Sequence, residues 1–114
     1  GNTCVILSSE ENPMLSISFA EVINTSDVPH GVVNILTGKR KELISHFASH
    51  KDVNAIVYCG DNNEEIKQIE KLSVENLKRV TIYKQKNWNG KTDQSPYFIE
   101  KCQEIKTIWH PTEV

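Results

Sequence analysis

Four short apolar runs punctuate the chain: Cys4-Val5-Ile6-Leu7, Val32-Val33-Asn34-Ile35-Leu36, Ala55-Ile56-Val57-Tyr58 and Val80-Thr81-Ile82-Tyr83. Each is rich in β-branched residues and nearly continuous in apolar character, the pattern of strands covered on both faces in a parallel sheet. Between these runs the period lengthens to that of a helix. The first helical segment opens at Asn12-Pro13, a cap residue followed by proline at the first helical position, and sets Met14, Ile17, Ala20 and Ile23 on one stripe. The second follows Gly38 and carries Leu43, Ile44, Phe47 and Ala48. The third follows Gly60 and carries Ile66, Ile69 and Leu72, with Asp61, Asn62 or Asn63 as its cap and Glu64 and Glu65 at its positive end.

Strands alternating with helices predict an α/β fold, a parallel sheet of about four strands with helices on both faces, joined by right-handed crossovers. The polar stretch from Gln85 to Gln94 reads as a linker loop. Beyond it Ser95-Pro96 begins a short helix with Phe98, Ile99 and Cys102 as its buried side. The run Ile105–Trp109 alternates like a half-exposed C-terminal strand, placed on the sheet edge or on another chain. The organisation is then a half domain over 1–84, a linker over 85–94, and a helix and strand over 95–114 that belong to the same domain or to an oligomer contact.

Composition narrows the class. A chain of 114 residues supports one small core. A net charge of -2 with both signs dispersed gives no basic face for nucleic acid, and Lys39-Arg40-Lys41 reads as a solvated helix start. No apolar run spans a bilayer and no signal peptide is visible, so no membrane partner is expected. The chain starts at Gly1 without Met, so its true N-terminus is expected to have been removed or left out. Cys4, Cys59 and Cys102 form no disulfide framework. Cys4 and Cys59 read as small buried hydrophobes, and a reducing, cytoplasmic setting follows. Asn24-Thr25-Ser26 matches a glycosylation acceptor, a tripeptide common by chance. His46 and His50, four apart, have the spacing of a zinc pair but no third ligand, and helix C-terminal placement explains them, so no metal is expected. Trp88 and Trp109 suit either core closure or a partner surface, and His110 a solvated end.

The ordered motifs resemble the aldehyde dehydrogenase family. Gly1-Asn2-Thr3 before the first strand is similar to that family's entry to its cofactor strand, and Ser9-Glu10 with Pro13 to the end of its Lys-Pro-Ser-Glu-x-x-Pro motif. Pro29-His30-Gly31-Val32-Val33-Asn34-Ile35 resembles its Pro-Pro-Gly-Val-Val-Asn segment. Ser49-His50 with Asp52-Val53 resembles its approach to the third strand. Tyr58-Cys59-Gly60 stands where the family has Phe-Thr-Gly, and Asn76-Leu77-Lys78-Arg79-Val80-Thr81 resembles its Leu-Lys-x-Val-Thr strand. The resemblance runs without a gap to about Tyr83. The segment Tyr97 through Ile108 is more weakly similar to the family's closing strand, which lies beyond a large catalytic domain in the family. The resemblance implies a Rossmann-like fold, an oxidoreductase ancestry and an NAD-binding domain, with Glu10, Gly38 and Gly60 as the cofactor-binding positions.

Departures from the family pattern fall at the positions that carry chemistry. The family lysine that holds cofactor ribose and phosphate falls at Leu7, which has no donor, while the ribose carboxylate is matched by Glu10. Only the first glycine of the family's Gly-rich turn remains, as Gly38 of Gly38-Lys39-Arg40-Lys41, and bulky side chains there crowd an approaching nucleotide. The family serine that opens the pyrophosphate-facing helix falls at Asp61, read as a cap that adds negative charge there. Two unit charges ~5 Å apart repel by about 3 kcal/mol at an effective dielectric of ~20, roughly a hundredfold in affinity. The general base falls at Tyr83 and its following Gly-Gly pair at Gln85-Lys86, and the nucleophilic cysteine has no counterpart. Cys102, beside Lys101, lies on an inward helical stripe. The expected function is therefore a non-catalytic, aldehyde-dehydrogenase-like pseudoenzyme domain without a cofactor, a structural, regulatory or oligomerisation module acting as a homo-oligomer or within a larger dehydrogenase chain. The alternative is a weak NAD- or NADP-binding domain of a dehydrogenase whose catalytic part lies elsewhere.

Overall fold

The computed structural model describes residues 1–84 and 89–111. Within them the chain runs β1 (Cys4–Leu7), α1 (Pro13–Asn24), β2 (Val33–Leu36), α2 (Arg40–Ser49), β3 (Ala55–Cys59), α3 (Asn63–Ser73), β4 (Arg79–Tyr83) and α4 (Tyr97–Glu100), with 3-10 turns at Val74–Asn76 and Lys91–Gln94. The four expected strands and the helices between them all form. The first four residues of the expected linker, 85–88, and with them Trp88, lie outside the described residues.

The strands do not join into one four-stranded sheet. They make two separate parallel pairs, β1 with β2 and β3 with β4. In the first, Cys4 faces Val33 and Leu7 faces Leu36. The ladder is extended by Cys4 N–H to Val32 O at 2.8 Å and Ser8 N–H to Leu36 O at 2.9 Å. In the second, Ala55 faces Arg79 and Cys59 faces Tyr83. Each strand–helix–strand crossover thus closes on its own neighbour, the most local pairing open to parallel strands. The fold is mixed α/β with parallel strands, and the expected sheet is halved. The chain divides into two compact units, residues 1–45 and residues 46–114, with the division inside α2.

In the first unit α1 packs on β2. Its half-buried positions are Pro13, Ser16, Ala20 and Ile23, a run at helical spacing. The expected stripe was therefore rotated: Ala20 and Ile23 do turn toward the sheet, but Ile17 is exposed and Met14 is 67 % exposed. Small Ser16 and Ala20 let the helix approach, while the larger Leu15, Phe19 and Val22 remain outside as a second apolar stripe. Asn12 precedes the helix but makes no side-chain capping bond.

In the second unit α3 packs on β4. Ala48, Tyr58, Ile66 and Ile69 are its buried apolar residues, Ile69 at 2 % exposure. The expected inner positions of α2 and α3 hold, since Ile44, Ala48, Ile66 and Ile69 are all buried. Two expectations at the chain's end fail. Ile99 is exposed rather than on a buried face, and no strand forms over Ile105–Trp109, where Trp109 is 89 % exposed. A strand requires a neighbour's amides and carbonyls, and alternation in sequence does not supply one.

A buried lysine fixes the connection from α2 to β3. Lys78 is 8 % exposed. Its Nζ donates to His50 O at 2.5 Å and to Asn76 Oδ1 at 2.7 Å. The Asn76 Nδ2 group in turn donates to Lys51 O at 2.8 Å and to Val53 O at 3.2 Å. His50 Nδ1 accepts the Asp52 N–H at 3.3 Å. Three carbonyls of one loop are thereby held by two side chains from the start of β4, as buried polar groups require. Leu77, between the two, adopts φ 54 and stands 88 % exposed.

Two stability changes follow, both read from urea denaturation. Lys78→Met, which keeps the apolar stem but strands two oxygens, lowers stability by about 1–3 kcal/mol. An unchanged midpoint would show that the clamp contributes nothing. Leu77→Gly relieves the left-handed backbone and raises stability by up to about 1 kcal/mol.

Candidate functional site

In α/β folds, ligands gather at the carboxyl ends of parallel strands, where helix N-termini present amides. Glu10, Gly38 and Gly60 lie just beyond such strand ends, following β1, β2 and β3. Glu10 and Gly38 belong to the first unit and Gly60 to the second.

Glu10 is exposed, and its carboxylate already has a partner. Oε1 accepts the backbone N–H of Arg40, the first residue of α2. Lys39 O accepts the N–H groups of Glu42 at 3.1 Å and Leu43 at 3.2 Å. The carboxylate matched to ribose recognition therefore serves as the anion at the α2 start. Lys39 Nζ lies 3.5 Å from Glu42 Oε1, so part of the basic run is balanced on the helix itself. At Gly38 an added Cβ would come 2.9 Å from Leu43 Cδ1, so the turn is held against its own helix.

At the start of α3 the cap is Asn62, not Asp61. Asn62 Oδ1 accepts from Glu64 N–H at 3.0 Å and Glu65 N–H at 3.3 Å, and its carbonyl accepts from Ile66 N–H at 3.0 Å. Asp61 is exposed, so it contributes charge without capping. Gly60 donates its N–H to Tyr83 O at 3.0 Å. An added Cβ at Gly60 would stand 2.9 Å from the Tyr58 hydroxyl. That hydroxyl donates to Glu65 Oε2 at 2.5 Å. Gly60 is thus required by the close approach of a tyrosine ring. The Tyr58–Glu65 pair was not anticipated, although a tyrosine ending a strand seven residues before a first-turn glutamate is a readable signal.

The remaining candidates are Tyr83 and the three cysteines. Tyr83, at the general-base position, ends β4 with its ring edge-on to Phe98, centroids 4.9 Å apart at 84°, and the Lys101 ammonium 5.1 Å above it. A phenol packed in this way is a structural side chain. Cys4 and Cys59 are exposed rather than buried, because β1 is open on both sides from Cys4 to Ile6 and β3 turns Val57 and Cys59 outward, and Cys102 is half-buried. Desolvation pushes the Cys59 thiol above its ordinary value, which disfavours the thiolate. Among the described residues no group of three or more His, Cys, Asp and Glu could hold a metal ion. A cavity of about 270 Å³ under α1 is lined by Ala20, Ile23, Val28, Pro29, Val33 and Ile35 among others. Neither Glu10 nor Gly38 lines it. Among the described residues no helix is long and apolar enough to cross a membrane.

Comparison with known proteins agrees with the motif series. The model of the aldehyde dehydrogenase family matches residues 1–83. Hydroxyisobutyraldehyde dehydrogenase of Mycolicibacterium austroafricanum is 30 % identical over 82 residues, 72 % of this chain and 16 % of that protein. Aldehyde dehydrogenase, cytosolic 1, of Elephantulus edwardii is 34 % identical over 83 residues, again 72 % of this chain and 16 % of the relative. Cytosolic 10-formyltetrahydrofolate dehydrogenase of Homo sapiens is 29 % identical over 82 residues, 72 % of this chain and 9 % of that enzyme. No solved structure matches significantly. The chain spans about a sixth of the length of the first two of these relatives. With a family model covering the parallel strands, their crossovers and the three strand-end positions, the chain belongs to the aldehyde dehydrogenase family.

Proposed function

We propose that this chain is a non-catalytic aldehyde-dehydrogenase-like domain, a structural, regulatory or oligomerisation module of a larger or degenerate dehydrogenase. The observation that carries the reading is Tyr83: the position matched to the general base holds a phenol packed between Phe98 and Lys101. The carboxylate that would take a proton there is replaced by a phenol held in aromatic and cation contacts. The thiols add to this, since Cys59 is pushed toward its neutral form.

The assembly role is supported by apolar surface. Leu15, Phe19 and Val22 on α1, and Ile105, Ile108 and Trp109 near the chain's end, are all exposed. The segment 105–109 carries alternating side chains suited to adding a strand to a sheet edge of a second copy or of a larger dehydrogenase chain. Two of the relatives are named cytosolic, which supports a cytoplasmic setting. A second reading is favoured by the match covering only 16 % of the first relative's length: a nucleotide-binding piece whose catalytic part lies elsewhere.

Three outcomes are expected. Incubated with NAD and a simple aldehyde, the purified chain forms no NADH above a protein-free control at 340 nm; steady NADH production would refute the non-catalytic reading. Removal of residues 104 to 114 changes the mass seen by light scattering, and an unchanged mass counts against the assembly role. In a Cys4→Ser, Cys102→Ser background, Cys59 reacts with iodoacetamide at pH 7 more slowly than a free small thiol. The rate rises only as the pH climbs above the ordinary thiol value, and a fast neutral reaction would show an activated thiolate.

A further inference from the structure

We infer that this chain excludes the dinucleotide its family membership implies, because the helix start that would receive the pyrophosphate is filled by its own side chains. The inference deepens the non-catalytic reading and can fail separately from it.

An anion at a helix N-terminus is held by amides with no partner inside the helix. At α3 the amides of Glu64, Glu65 and Ile66 are taken by Asn62. A phosphate must displace the Asn62 side chain to reach two of them. Close approach also needs open space over the preceding glycine. Over Gly60 that space holds the Tyr58 hydroxyl, 2.9 Å from where a Cβ would stand and tied at 2.5 Å to Glu65. The charge at the mouth has the wrong sign as well. Asp61, Glu64 and Glu65 are three carboxylates within five residues. The start of α2 repeats the principle independently, for there Glu10 supplies the anion by accepting from Arg40 N–H. Leu7, at the position matched to the ribose-binding lysine, adds no donor. The residues present do not fit a dinucleotide.

The test follows the backbone amide signals of Glu64, Glu65 and Ile66 by NMR during titration with NAD, NADP and inorganic pyrophosphate. In the parent chain these signals stay fixed to millimolar ligand. In the Tyr58→Phe, Asp61→Ser, Asn62→Gly variant pyrophosphate moves them, with affinity raised by at least about tenfold. An Asn-to-Gly cap change costs a helix little, so the fold should survive, and circular dichroism verifies it. If the triple variant does not fold, Asp61→Asn alone, at an exposed position, must still strengthen pyrophosphate binding measurably. Saturable shifts in the parent at sub-millimolar NAD or NADP would overturn the inference while leaving the non-catalytic reading intact. A folded variant that binds pyrophosphate no better than the parent would equally overturn the assignment of exclusion to these side chains. NADH formation from an aldehyde, measured separately, bears on the non-catalytic reading alone.

Discussion

A helix begins with amides that its own backbone cannot satisfy, and the way this chain satisfies them governs the rest of its character. Asn62 closes the start of α3 and Glu10 the start of α2. Loss of a cap of this kind costs about 1 kcal/mol, a sizeable share of a small domain's stability. The same bonds use the donors on which an α/β fold relies to hold phosphates. Stability of the helix start and anion binding there compete for one set of N–H groups, and here the helix keeps them. The clamp of Lys78 and Asn76 on the loop from His50 to Val53 follows the same logic, with side chains of the chain itself meeting that loop's carbonyls.

Burial points the other way. Parallel sheets are ordinarily covered on both faces, yet Val5, Leu36 and Val57 remain exposed, and α1 holds no buried residue. Each strand pair is complete in its own hydrogen bonds but incomplete in its packing. A family relative of which the match covers only 16 % has far more chain with which to cover such surfaces. The buried hydroxyls of Ser8 and Ser73 have no hydrogen-bond partner among the described residues, and apolar surface stays exposed as well, so polar and apolar groups alike leave room for further contact.

Local features were legible in the sequence and pairings were not. The inner faces of α2 and α3 could be read because their apolar positions recur at helical spacing amid charged residues, as Ile66 and Ile69 do between Glu64, Glu65, Lys67 and Glu70. On α1 apolar side chains occupy both sides, so periodicity alone selected Met14 and Ile17 in place of the small Ser16 that faces the sheet. Asn62 could not be separated from Asp61 or Asn63, since any of the three side chains can cap and only the backbone path decides. The Glu10–Arg40 and Lys78–His50 bonds join residues 30 and 28 apart in sequence, and no spacing rule points to them. Four runs of strand character predicted four strands but not which edges would meet. The Ile105–Trp109 run kept its alternation without finding a neighbour.

A ligand that binds only the folded state raises its melting temperature in proportion to the logarithm of ligand concentration over Kd. Thermal unfolding of the purified chain with and without millimolar NAD or NADP therefore weighs the account as a whole. An unchanged midpoint is the expected result for a fold whose helix starts are already occupied by Asn62 and Glu10. A midpoint that climbs by several degrees with added dinucleotide would contradict it.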